Sequence, residues 1–208
     1  MTPAATKPAR ILALGDSYTI CEGVPSSEGW PAQLADALSR AGVAVEAPRV
    51  IARTGWRIDN LGSAMDRAEL QPPYSLVTLL IGVNDQFQGF DEPSYRKRFE
   101  AMLARAIGLA GEDKSRVIVI SIPDYSVTPF AAPFDPPKIR GALERYNQTN
   151  REVALAAGVA HVDITPISRE AQVDPSLLAP DELHPSGKMY ARWVEQLVPV
   201  AQEALRKP

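Results

Sequence analysis

The chain has 208 residues, 45% hydrophobic and 23% charged, with a formal net charge of −3. That length supports one well-buried core and is short for two, and the charge balance, without Lys/Arg runs, argues against a nucleic-acid partner. No apolar stretch approaches the ~18 residues needed to span a bilayer, and the single cysteine, Cys21, rules out an internal disulfide and a thiolate metal cluster.

The N-terminal residues 1–9 lack an apolar signal core and read as a flexible tail ahead of one domain, 10–208. A cytoplasmic protein is expected, with an exported one whose signal has been trimmed as the alternative. The first predicted strand is Arg10–Gly15, with Ile11 to Leu14 as its buried interior and Gly15-Asp16-Ser17 as the polar break at its end. A helix follows in which Trp30, Leu34, Leu38 and Ala41 share one face, with Pro31 suited to the first turn and Gly42 to the stop. The next strand, Val43–Ala52, is interrupted near Pro48 and leads to Arg53-Thr-Gly-Trp56 and a short helix over Asp59–Leu70. Leu76–Gly82 and Arg116–Ile122 are apolar throughout rather than alternating, as strands buried on both faces of a parallel sheet are.

Between these two strands lies a helix over Ser94–Leu109, with Phe99, Leu103, Ala106 and Ile107 on one side. The proline-rich stretch 123–138 precedes a helix over Pro137–Ala157, then a strand over Val159–Ile164 and a last helix over Ser186–Leu205. Strands alternating with helices imply βαβ crossovers. The fold class is therefore α/β: a three-layer α/β/α, flavodoxin-like domain on a five-stranded parallel sheet of order 2-1-3-4-5. No internal repeat, low-complexity tract or linker divides it.

In such a sheet the carboxyl ends of all strands open on one edge, where ligands bind. Ser17 follows the first strand, Gly55 and Trp56 the second, and Gly82-Val-Asn84-Asp85 the third. With the order 2-1-3-4-5, Ser17 and Asn84 would face each other across the crevice between the first and third strands. A serine nucleophile needs a base and donors aimed at the developing oxyanion. The Asn84 amide, the Gly55 N–H and the N–H of Ser17 itself are candidates for those donors. Read singly, Ser17 is more simply a helix cap, Asn84-Asp85 an Asx turn and Gly55 a turn residue. Of the two histidines, His161 lies within the fifth strand and reads as a packed residue. His184 sits in Ala179-Pro-Asp-Glu-Leu-His-Pro-Ser-Gly187, a loop stiffened by Pro180 and Pro185. There Asp181, three residues earlier, can fold back onto the imidazole and leave Nε2 for a serine.

Together these blocks resemble the SGNH hydrolases, the GDSL-type esterases, lipases and acylhydrolases, over about residues 10 to 190. The resemblance implies Ser17 as nucleophile, Gly55 and Asn84 in the oxyanion hole, His184 as base and Asp181 as its orienting partner. It departs at Tyr18, where the family's nickname has leucine, and at Cys21, which stands close to the nucleophile and would narrow the pocket or expose the enzyme to thiol reagents. The Gly-x-Ser-x-Gly elbow of the α/β-hydrolases is absent.

The expected activity is hydrolysis of a small carboxylic ester, of short acyl chain or of an acylated sugar, with no cofactor and no metal. Asp16, Trp56, Phe87 and Tyr125 are the expected substrate-binding residues. The loop carrying Tyr125, Phe130 and Phe134 reads equally as a pocket wall or as a stiff surface loop. Three other readings remain open: a lysophospholipase or thioesterase of the same fold, a non-catalytic binding module, and a metal-dependent hydrolase with Asp16, Asp181 and His184 as ligands.

Overall fold

The computed structural model describes residues 7–206; residues 1–6 of the expected tail lie outside the described residues. Five strands, β1 (Ile11–Gly15), β2 (Arg49–Ala52), β3 (Leu76–Leu80), β4 (Val117–Ile120) and β5 (Ala160–Val162), form one parallel sheet of order β2-β1-β3-β4-β5. The topology is the predicted one. β1 is flanked on both sides, with Leu14 opposite Ile51 of β2 and Leu79 of β3. The continuous apolar runs of β1, β3 and β4 are buried along their whole length, whereas the edge strands β2 and β5 are only partly covered.

Helices cover both faces. The long ones are α2 (Trp30–Arg40), α3 (Ile58–Arg67), α5 (Glu92–Leu109), α6 (Pro136–Ala157) and α8 (Gly187–Arg206), and the short ones α1 (Ser17–Ile20), α4 (Val83–Phe87) and α7 (Thr165–Arg169). α2 packs on α8, and α5 packs on α3 and α6. Trp30, Leu34, Leu38 and Trp193 are fully buried at the first interface, each contributing about 1.5–3 kcal/mol through apolar burial.

Three sequence expectations need correction. The predicted strand Val43–Ala52 is a strand only from Arg49 onward, because Pro48 cannot donate to the ladder; Val45 keeps an isolated bridge to Ala9. The fifth strand stops at Val162, where the Asp163 carboxylate accepts the Thr165 N–H at 3.0 Å and turns the chain. Ala41 is exposed and caps α2 rather than completing its apolar face. The short helices α1, α4 and α7, of four or five residues each, carry too little periodicity to be read from sequence.

Candidate active site

β1 hands the chain directly to α1. Asp16 caps this helix by accepting the Tyr18 N–H at 3.1 Å, and Ser17 is the first helical residue. An N–H at that position has no intrahelical acceptor and stays available to a ligand. The helix ends after one turn at Cys21, whose φ of 62° is left-handed. Trp30 Nε1 donates to the Tyr18 carbonyl at 3.1 Å and pins this turn to α2. At the end of β3, Gly82 has φ 125°, and a Cβ there would lie 2.3 Å from the Tyr95 hydroxyl. Only glycine lets the chain turn there and enter α4, which presents Asn84.

Ser17, Asn84 and His184 line one cavity of about 110 Å³, together with Tyr18, Val83, Phe87, Tyr125, Phe130 and Leu183. The residues expected to face each other across the crevice are therefore brought together. Asn84 Nδ2 also donates to the Trp56 carbonyl at 2.9 Å; its second amide hydrogen remains for a ligand. That bond ties the loop after β2 to α4. Gly55 lies in this loop at φ 78°, in the turn closed by the Trp56 N–H to the Arg53 carbonyl at 3.2 Å. It is exposed and outside the lining of the cavity.

His184 is buried, and its Nδ1 meets Asp181 Oδ2 at 2.7 Å. The other Asp181 oxygen accepts the backbone N–H groups of Leu183 at 3.0 Å and His184 at 2.9 Å. Burial by itself would raise the Asp181 pKa, but the bonds from the His184 ring and from these two N–H groups outweigh it and hold the carboxylate below its ordinary value. The loop is clamped by the Ala179 N–H to the His184 carbonyl at 2.7 Å and by a bridge between Leu178 and Pro185. The ring of Tyr18 lies against the imidazole, 5.4 Å between centroids.

The remaining expected residues separate. Phe87 and Tyr125 line the cavity. Asp16 does not: it is fully buried behind α1, where burial, opposed by the Tyr18 N–H and reinforced by the charge of Asp85, pushes its pKa up to about 8. Trp56 is half-buried, and it is its carbonyl rather than its indole that serves the site. Cys21 is 2% exposed and absent from the lining, so it does not narrow the cavity. Among the described residues no three His, Cys, Asp or Glu side chains cluster as metal ligands. No helix among them is long and apolar enough to cross a membrane.

Glu22 escapes the sequence reading, and Asp85 is read there only as part of a turn. Glu22 places Oε2 3.9 Å from His184 Nε2, on the side opposite Asp181, and accepts a hydrogen bond from the Thr54 hydroxyl. Asp85 is buried beside Asn84; its Oδ2 accepts the Ile58 N–H at 3.2 Å and its Oδ1 lies 3.3 Å from Arg98 Nη1. Burial raises its pKa to about 6 against the pull of these two partners. Asp85 thereby anchors the start of α3 to α4, and the oxyanion-donor candidates Gly55 and Asn84 sit on segments that are doubly cross-linked.

Comparison with known proteins agrees with this architecture. Similar solved structures include the lipase/acylhydrolase from Enterococcus faecalis (TM-score 0.75, 17% identity, covering 96% of this chain and 98% of that one). Another is the psychrotrophic esterase EstA from Pseudoalteromonas sp. (TM-score 0.69, 15% identity, 95% and 99%). A third is a variant of Axe2, an acetyl xylan esterase from Geobacillus stearothermophilus (TM-score 0.64, 19% identity, 93% and 94%). At these identities the likeness establishes the fold. No curated protein matches the sequence significantly. The family model described as GDSL-like Lipase/Acylhydrolase matches residues 13–192, and the chain belongs to that family of carboxylic ester hydrolases.

Proposed function

We propose that the enzyme hydrolyses esters of short acyl chains through a Ser17 acyl-enzyme. The observation that carries this reading is the convergence of Ser17, Asn84 and His184 on one small cavity, with His184 tethered to Asp181 at 2.7 Å. A cavity of about 110 Å³ is smaller than the roughly 150 Å³ space that accommodates benzene. An acetyl or propionyl group fits such a volume, and a long acyl chain does not.

Asp181 accepts the Nδ1 hydrogen of His184, which leaves the Nε2 lone pair for the Ser17 hydroxyl. As Ser17 Oγ bonds to the ester carbonyl carbon, its proton passes to Nε2 and the carbonyl oxygen becomes the oxyanion. The Ser17 N–H and the Asn84 amide, both from residues that line the cavity, are the donors assigned to it. Collapse breaks the bond to the alkoxy oxygen, which takes the Nε2 proton and leaves as the alcohol. Water then repeats the sequence: it gives its proton to Nε2, forms the second tetrahedral adduct, and releases the carboxylic acid as the proton returns to Ser17.

Steady-state hydrolysis of p-nitrophenyl esters from acetate to palmitate tests the reading, with Ser17→Ala alongside. Activity should peak at two to four carbons and vanish in the variant. Turnover that survives Ser17→Ala refutes the acyl-enzyme, and an optimum at long chains refutes the size argument.

A further inference from the structure

The aromatic side chains at the mouth of the cavity face water. Phe87, Phe130 and Phe134 are 47%, 39% and 50% exposed, although each packs on the others at centroid distances of 5.7 to 6.3 Å. Exposed apolar clusters of this kind mark binding surfaces. Here the cluster leads somewhere. Phe87 and Tyr125 form one wall of the catalytic cavity and also one wall of a second cavity of about 600 Å³. This second space lies between the Gln86–Glu92 turn and the first turns of α6, and Phe134 belongs to it alone of the two.

Its chemistry narrows the occupant. The rings share this lining with Asp91, Glu92 and Asp135, together with Lys138 and Arg145. The three carboxylates are already oriented: Asp91 caps α5 through the Ser94 N–H, Asp135 caps α6 through the Lys138 N–H, and Glu92 accepts from the Thr149 hydroxyl. Each retains acceptor capacity, and among the described residues no ion pair engages the Lys138 ammonium or the Arg145 guanidinium. An alkyl chain would strip water from these charges without replacing it. An anion meets three carboxylates and a cation meets two basic groups. A neutral, polyhydroxylated ring satisfies both sets, with its C–H face on phenylalanine and its hydroxyls donating to carboxylates and accepting from Lys138 and Arg145.

We propose that this second cavity is the subsite for the leaving alcohol and that the alcohol is a sugar unit, so that the substrate is an O-acylated carbohydrate. The proposal rests on the short-acyl Ser17 reading: the acyl group occupies the small cavity, the ester bond lies beside Ser17, and the sugar passes over Phe87 into the larger space.

The test compares methyl acetate, whose leaving methanol is too small to reach the second cavity, with an O-acetylated oligosaccharide in the wild type, Phe134→Ala and Arg145→Ala. The unacetylated oligosaccharide serves as an inhibitor of p-nitrophenyl acetate turnover. Loss of one charge-assisted contact should lower kcat/KM for the acetylated oligosaccharide about tenfold, through KM, while methyl acetate hydrolysis changes less than twofold. The unacetylated sugar should inhibit competitively and lose that inhibition in both variants. Equal effects on both substrates, or none on the oligosaccharide, overturn the subsite while leaving the esterase intact. So does a preference for p-nitrophenyl octanoate that Phe134→Ala abolishes, which would make the cavity an acyl-tail site. Wild-type protein that hydrolyses neither acetate ester overturns both readings.

Discussion

Replacing Asp181 by asparagine should disable the enzyme without disturbing its fold, for a reason visible in the loop geometry. One carboxylate oxygen accepts two backbone N–H groups, from Leu183 at 3.0 Å and His184 at 2.9 Å, while the other faces His184 Nδ1 at 2.7 Å. An amide at this position has one acceptor and one donor group. Two backbone donors hold the amide oxygen at the first site, so the amide nitrogen is turned toward the imidazole. Nδ1 must then be the bare acceptor, and the ring proton moves to Nε2, where it blocks proton transfer from Ser17. The wrong tautomer in a Ser-His-Asp arrangement costs about 10⁴-fold in kcat, or roughly 5.5 kcal/mol at 1.36 kcal/mol per decade. Asp181→Ala loses the tether but leaves the tautomer free, so it should retain more activity than Asp181→Asn. The assay is p-nitrophenyl acetate turnover with a thermal melt on each variant, and ¹⁵N shifts of the ring nitrogens report the tautomer directly. With two histidines in the chain, a His161 variant suffices for assignment. Turnover of Asp181→Asn within tenfold of wild type, or no lower than that of Asp181→Ala, would refute the tautomer argument.

Other consequences concern the site's donors and its buried groups. Asn84→Ala removes a proposed oxyanion donor and frees the Trp56 carbonyl; kcat should fall about 10²–10³-fold with the melting temperature little changed, and unaltered turnover would dismiss the role. For Asp16, the unfolded carboxyl ionises near 3.8 but the folded one only near 8. Ionisation therefore favours the unfolded chain, and this group's stability contribution is lost as pH rises from about 4 to 8. Asp16→Asn keeps an acceptor for the Tyr18 N–H, so its melting temperature should gain on wild type between pH 4 and pH 8; parallel pH curves would contradict the raised pKa. Cys21 is 2% exposed and burial pushes its thiol up to about 12, so a disulfide reagent such as DTNB should label it only on unfolding. Rapid labelling of the native protein would show that the turn after α1 opens.

The legibility of the fold follows the depth of each strand. β1, β3 and β4 lie inside the sheet and are covered on both faces, so their sequences are unbroken apolar runs and their identity is plain. β2 and β5 sit at the edges, where one flank is free of a partner strand and polar residues are tolerated. Their limits are set by local accidents, the missing donor of Pro48 and the Asp163 turn, and the predicted ranges overran both. Short helices leave even less trace: α1 and α4, which carry Ser17 and Asn84, read simply as polar breaks. The break was the useful signal, since it placed each side chain at a strand end.

For the site itself, what could be read depends on how each contact is made. Asp181 and His184 are three residues apart in a loop held by prolines, so their hydrogen bond is a local matter and spacing predicts it. Ser17 and Asn84 are far apart in sequence, yet they end adjacent parallel strands, and the strand order is enough to bring them together. Glu22, Asp85 and the Trp56 carbonyl belong to a third class. Glu22 reaches its place through the left-handed turn at Cys21 and a hydroxyl from Thr54. Asp85 does so by capturing the Ile58 N–H across 27 residues. In each case the decisive quantity is the direction of a side chain between loops, which neither hydrophobic period nor motif spacing encodes. The same holds for Asp16. Its neighbour Ser17 faces the cavity, but Asp16 is the non-helical cap at φ −126° and ψ −147° and is fully buried, so a residue expected at the substrate becomes a buried cap. Motif membership thus locates the turn of the proposed nucleophile, while the division of that turn between cavity and support is decided where the non-helical cap Asp16 gives way to the first helical residue, Ser17.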